Sequence, residues 1–268
     1  MKIVLPLYNA RGHKVLVEHL AHLLPRDVTF LLVSGNMDKP LDVVWVDRTA
    51  GDLKARFPES TLLAATAGLD HVRSLTEHAL PPVKGVVYIY EPNFGNEPEF
   101  TWTFADTLAH FAEVRRLAHA RDLWAFGKPT GRPLYQAYLY KHGWDYAALG
   151  AAVDGLFVQT QTYCKKDPTV FGEALGALVG QYRAGSRLAS REASQVAAQY
   201  PPFVQVSLDP ASRNGARADE VSACVARAAE HATAGALAGL LLWWSPRYPE
   251  EVARCLAQLS ALRGSAPS

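Results

Sequence analysis

Two carboxylates stand where a chain leaving a strand could set them to work. Glu91 closes the run KGVVYIY and is followed at once by Pro92. Proline donates no ladder hydrogen bond and fixes its own φ, so the strand should stop where the carboxylate is placed. Asn93, Gly95 and Asn96 follow with two more carboxylates, Glu97 and Glu99, and Phe94, Phe100 and Trp102 lie between them. Asp209 ends the run FVQVSL in the same way, ahead of Pro210. Amides and carboxylates exchange hydrogen bonds with hydroxyl groups, and aromatic faces stack on C–H-rich rings. Together they suit a carbohydrate. Asp209 has a second use, as a turn or helix cap before proline.

These residues need elements to hold them. Strand-like runs at 3–8, 28–34, 61–66, 86–90, 123–126, 155–160, 203–208 and 238–244 each precede helix-like sequence. The helical runs cover 13–24, 52–57, 69–79, 135–141, 146–151, 168–183 with 190–199, 220–232 and 250–262. A long helix also starts near Thr101 or Thr103. There Thr103 and Asp106 resemble a capping box, and Phe104, Leu108, Phe111, Val114 and Leu117 recur at helical spacing. An extra short strand is expected near Val43, at 43–47, and a loop at 184–190. Repeated β-then-α units demand a parallel sheet, and eight of them match an α/β fold of the (β/α)₈ TIM type. The expected organisation is one barrel domain over 1–263, with no interdomain linker and a frayed tail at 264–268. The competing architecture is an open doubly wound sheet, because Gly12-His13 after the first strand resembles the opening of two-domain (GT-B type) glycosyltransferases. Against it, Gly12 stands without the paired glycines of a dinucleotide fingerprint, and no Walker-type motif occurs.

A barrel of this kind carries function at the C-terminal ends of its strands. Those ends should present Tyr8 and Asn9; Ser34 and Asn36; Thr66; Glu91 and Asn93; Lys128; Gln159, Gln161 and Tyr163; Asp209; and Trp243, Trp244 and Ser245. The set contains no histidine cluster and no phosphate-binding glycine run, so neither a metal nor another cofactor is expected. Gln159 and Gln161 share one side of their strand with Phe157, as sugar ligands or as a hydrogen-bonded barrel layer. Trp243 and Trp244 point to opposite sides, so at most one faces the site. Lys128 is either a solvated residue of a Gly-Pro loop or, if burial lowers its pKa, a Schiff-base former. Trp45, Trp124 and Trp144 are expected in the core.

Tyr-Glu-Pro-Asn at the fourth tip, Gln159 to Tyr163 after the sixth strand and Trp243-Trp244 at the eighth resemble a (β/α)₈ glycoside hydrolase. The resemblance implies Glu91 as general acid and an eighth-strand tryptophan as the floor of the sugar site. It departs from the largest retaining clan, whose fourth strand ends Asn-Glu and whose seventh supplies a glutamate. Here Tyr90 precedes Glu91, and Asp209 occupies the seventh tip. Such hydrolysis needs one protonated and one ionised carboxyl, and their separation decides retention or inversion. Glu91 beside Tyr88, Tyr90 and Phe94 would be desolvated and protonated; Asp209 is the candidate partner, with Glu97 and Glu99 in reserve. The alternatives are a non-catalytic carbohydrate-binding barrel and a nucleotide-sugar-dependent glycosyltransferase.

The chain has 268 residues, 49% hydrophobic and 20% charged, with formal net charge +1. That balance offers no basic face for nucleic acid, and no apolar run reaches the roughly 18 residues of a membrane span. The N-terminal segment lacks the apolar region and cleavage site of a signal peptide, so a cytoplasmic setting is expected, with a mature secreted domain as the alternative. Three cysteines (Cys164, Cys224 and Cys255), with no pair close in sequence, argue against a disulfide framework or a zinc site.

Overall fold

Runs of apolar and β-branched residues without alternating polarity make stable strands only where both faces are covered. Eight runs do so: β1 (Lys2–Leu7), β2 (Thr29–Val33), β3 (Thr61–Thr66), β4 (Gly85–Ile89), β5 (Trp124–Lys128), β6 (Gly155–Val158), β7 (Phe203–Leu208) and β8 (Gly239–Trp244). Each pairs in parallel with the next, and β8 pairs with β1, closing a (β/α)₈ barrel of the TIM type. The computed structural model describes residues 1–35, 40–78, 80–90, 103–134, 144–161, 164, 167–191, 201–211 and 215–264. Closure rules out the open doubly wound sheet, and with it the structural basis for the glycosyltransferase alternative.

Alternate residues of each strand enter two separate apolar layers. Val4, Leu31, Val87, Phe126, Phe157, Phe203 and Leu241 fill the barrel interior. Their neighbours Leu5, Phe30, Tyr88, Leu156, Val204 and Leu240 pack outward against the helices. The helices are α1 (Ala10–Val15), α2 (Val43–Arg56), α3 (Leu69–Glu77), α4 (Phe104–His119), α5 (Tyr146–Ala151), α6 (Pro168–Arg191), α7 (Ala218–Thr233) and α8 (Pro249–Gly264). A π-helical turn, Leu16–Leu20, and a 3₁₀ turn, Ala21–Leu23, continue α1. Among the described residues no helix is long and apolar enough to cross a membrane.

The short strand expected near Val43 is the first turn of α2. Asp42 caps it, its Oδ1 accepting from the Trp45 backbone N–H at 2.8 Å. Val46, Thr49, Ala50 and Leu53 are buried at helical spacing, while Val44 is 78% exposed, so the valines do not alternate into a sheet. The loop expected at 184–190 lies inside α6. Trp124, expected in the core, is 46% exposed because it opens β5 at the N-terminal end of the barrel. The expected helix over 135–141 and residues 265–268 of the expected tail lie outside the described residues. Thr103 caps α4 as expected, its hydroxyl accepting from the Asp106 N–H at 3.1 Å.

Gly127 lets α4 lie close to β5. A Cβ there would sit 2.3 Å from the Phe111 ring. Gly127→Ala should therefore lower stability by about 1–3 kcal/mol, the usual penalty of overpacking. The midpoint of urea denaturation should fall accordingly, and adding Phe111→Leu should recover part of the loss.

Candidate functional site

Side chains from five strands converge at the C-terminal end of the barrel, with Trp243 of β8 at their centre. Tyr8, the residue after β1, stacks on the indole with ring centroids 5.7 Å apart and planes 13° from parallel. Lys128 ends β5 and brings its Nζ to 5.1 Å from the same indole centroid. As β5 and β8 are not neighbours in the barrel, this cation–π contact reaches across the mouth. Lys128 is only 1% exposed, so the solvated-loop alternative fails: the residue belongs to a strand and lies beneath the mouth.

Amides form the next group. Gln159 follows β6, and its Nε2 donates to the Lys128 carbonyl at 3.2 Å, which makes it part of a hydrogen-bonded barrel layer. Gln161 has a buried Oε1 with no hydrogen-bond partner among the described residues. Gln205 was not among the residues expected at the mouth, because it lies inside β7 and not at its tip. On β7 Phe203 faces the barrel interior while Val204, Val206 and Leu208 face the helices, so Gln205 and Ser207 face inward. The same alternation that grouped Gln159 and Gln161 with Phe157 would have grouped Gln205 with Asp209. Both Gln205 and Ser207 are buried.

Asp209 is half-buried just beyond β7. Its Oδ1 accepts from the Ala211 N–H at 3.2 Å, the Asx turn that its place before Pro210 suggested. It also acts on its neighbour: burial first, and the charge of Asp209 second, push the Tyr8 phenol up to about 12. Tyr8 thus remains a protonated donor at neutral pH, and it donates to the Trp244 carbonyl. Trp244 itself is not at the mouth. It faces the helix layer at 1% exposure, and its Nε1 donates to the Pro6 carbonyl at 2.9 Å. Asn9 is likewise occupied structurally. Its side-chain oxygen accepts from the Gly12 N–H at 2.8 Å and caps α1.

Glu91, Asn93 and Tyr163, with Asn36, Glu97 and Glu99, lie outside the described residues. Beyond the end of β4 the Tyr90 N–H donates to the Lys128 carbonyl at 3.1 Å. Val87 and Ile89 face the barrel interior, whereas Tyr88 and Tyr90 pack outward against His110 and Phe111. The two tyrosines expected to desolvate Glu91 therefore do not line the mouth.

The three cysteines are free and buried away from this site. Cys224 and Cys255 sit on α7 and α8, and Cys164 follows β6. Burial above all, then the neighbouring Cys224 thiol, pushes the Cys164 thiol well up, and burial pushes Cys255 up to about 12. These are packing residues, not nucleophiles.

The sequence matches no protein-family model, and no curated protein matches it. Solved structures share its fold. A GH18 chitinase from Cycas revoluta, in complex with allosamidin, superposes with a TM-score of 0.62 at 11% identity, over 98% of this chain and 100% of that one. A class V chitinase from Pseudomonas fluorescens Pf-5 gives 0.61 at 16% identity, over 98% and 100%. A 3-dehydroquinate dehydratase from Geobacillus kaustophilus gives 0.51 at 15% identity, over 99% and 92%. At these identities the likeness is one of fold, a fold that hosts unrelated chemistries.

In a spectrophotometric titration, the difference between wild type and Tyr8→Phe should show one phenol ionising near pH 12 rather than 10. Since the folded pKa is raised, the stability Tyr8 contributes is whole below pH 10 and is lost as pH climbs towards 12. Tyr8→Phe should flatten the stability profile in that window. Separately, a thiol reagent should find the native protein almost inert and titrate all 3 cysteines once urea unfolds it.

Proposed function

We propose that the barrel mouth binds a carbohydrate and hydrolyses a glycosidic bond in it, with Glu91 as the general acid. The observation that carries this is the stacked Tyr8–Trp243 pair with Lys128 against its indole, at the end of the barrel where Gln159 and Gln161 follow β6 and Gln205 faces inward on β7, above an apolar floor. An indole face takes the C–H face of a pyranose ring, while amides and an ammonium group serve its hydroxyls. The chitinases among the structural neighbours favour the same ligand class.

The role of Glu91 rests on its place in the chain. In sequence it comes directly after Tyr90, whose backbone N–H bonds to the Lys128 carbonyl beyond the end of β4, a strand whose Val87 and Ile89 face the barrel interior. In the proposed step the Glu91 carboxyl gives its proton to the glycosidic oxygen as the bond to the anomeric carbon breaks. The leaving sugar departs as an alcohol, and a second carboxylate either attacks the anomeric carbon or activates the water that does. Asp209 is the candidate for that role. It is the one carboxylate among the described residues at the strand ends, with Glu97 and Glu99 as alternatives.

A second function, a carbohydrate-binding barrel without turnover, is favoured by one observation: the Asp209 carboxylate already serves the turn at Ala211. Kinetics separate the two. Wild type, Glu91→Gln and Asp209→Asn would be assayed on aryl glycosides and oligosaccharides, with binding measured in parallel. Hydrolysis by wild type that falls about 10²–10⁴-fold in Glu91→Gln supports the general acid. Equal turnover by wild type and Glu91→Gln refutes it, and wild-type binding with no turnover selects the second function.

A further inference from the structure

Gln205 lies in the middle of β7 and is 3% exposed, and its Oε1 is buried with no hydrogen-bond partner among the described residues. A buried carbonyl that gives up water and receives nothing in return is disfavoured, and native proteins keep few of them. Its surroundings define what could donate to it. Val158 pairs with Val204, so Gln159, the residue after β6, comes alongside Gln205, and the Thr160 hydroxyl donates to the Gln205 backbone carbonyl at 2.8 Å. Leu241 flanks it from β8. Gln159 does not turn towards it, because its Nε2 is engaged by the Lys128 carbonyl.

Depth along the barrel axis then fixes its place. One pleat deeper is the apolar plug, where the Phe157 and Phe203 rings stack with centroids 4.6 Å apart. One pleat shallower is Ser207, paired in register with Trp243. Gln205 is thus the first polar group above the plug on β7, below the level of the indole. Methionine or leucine would fill such a position without a buried acceptor. The Gln161 Oε1, three residues beyond β6, is a second buried acceptor without a partner among the described residues. Two unpartnered acceptors, one on β7 and one just beyond the neighbouring β6, fit a ring that carries several hydroxyls better than a flat apolar ligand.

We infer that Gln205 is a ligand-binding residue whose amide oxygen accepts a hydrogen bond from a hydroxyl of the sugar ring seated on Trp243. The inference rests on the carbohydrate-binding function proposed above. It assigns to the deepest part of the mouth a demand for a donor, and so a preference for neutral sugars whose inward position bears a hydroxyl.

The test uses Gln205→Met in the full chain, a change that keeps length and removes the acceptor. Thermal unfolding of the unliganded protein is measured beside calorimetric titration with chitotetraose, cellotetraose and β-1,4-galactotetraose. A binding amide held unsatisfied predicts that Gln205→Met raises Tm by about 2–4 °C. Affinity for the tetrasaccharide that wild type binds should fall about ten- to hundredfold. A lower Tm with unchanged affinity, or failure of the variant to fold, overturns the inference and makes Gln205 a structural residue. If wild type binds none of the three sugars, the carbohydrate function fails by itself. The Tm of Gln205→Met then decides the role of Gln205: a rise supports ligand binding and a fall refutes it.

Discussion

Everything at the mouth of this barrel depends on the hydrogen bonds that join its last strand to its first. β8 pairs with β1 through Lys2–Gly239, Ile3–Leu240 and Val4–Leu241. The approach is close: a Cβ on Gly239 would lie 2.1 Å from the Lys2 carbonyl oxygen, so glycine is what allows the strands to meet. Once they meet, Tyr8 is brought beside Trp243, and the Tyr8 hydroxyl finds the Trp244 carbonyl. The aromatic pair is made by residues from the two ends of the chain. Without closure neither ring has a partner, and Lys128 has no indole to lie against.

Polarity rises in steps from the barrel centre to its mouth. Phenylalanines and aliphatic residues fill the interior, amides form the layer above, and an indole and a phenol complete the mouth, with the Lys128 side chain buried against the indole. Each step has a physical basis. The plug gives the strands a dry surface to pack on. The amide layer is held partly by backbone carbonyls, as Gln159 is by Lys128, while the Gln205 Oε1 has no partner among the described residues. The low dielectric that raises the Tyr8 pKa also strengthens any hydrogen bond a ligand makes there.

The barrel was legible because parallel strands covered on both faces read as unbroken apolar runs, and those runs alternated with helical sequence. β3, β7 and α5 fall at the bounds expected from sequence. The misreading at Val43 shows where such patterns fail. Two adjacent valines and a tryptophan fit a strand locally, and only the Asp42 cap and burial at Val46, Ala50 and Leu53 select a helix. At the site, alternation correctly separated Trp243 from Trp244. It could not reveal the burial of Lys128, which depends on an indole across the barrel. Asn9 shows a different ambiguity: an amide that could serve a ligand serves a helix N-terminus equally well.

The Lys128 oxygen accepts from both the Tyr90 N–H and the Gln159 amide, which occupies both of its lone pairs. Beyond it, the Gln159 backbone is bonded to Pro129 and Gly131. The peptide plane after Lys128 is therefore clamped between two strands, and the direction in which its side chain leaves the backbone is set before any ligand arrives. A lysine has much rotamer entropy to lose, and here folding removes a share of that freedom in advance. A ligand meeting this ammonium finds it already aimed, so less conformational entropy remains to be lost on binding.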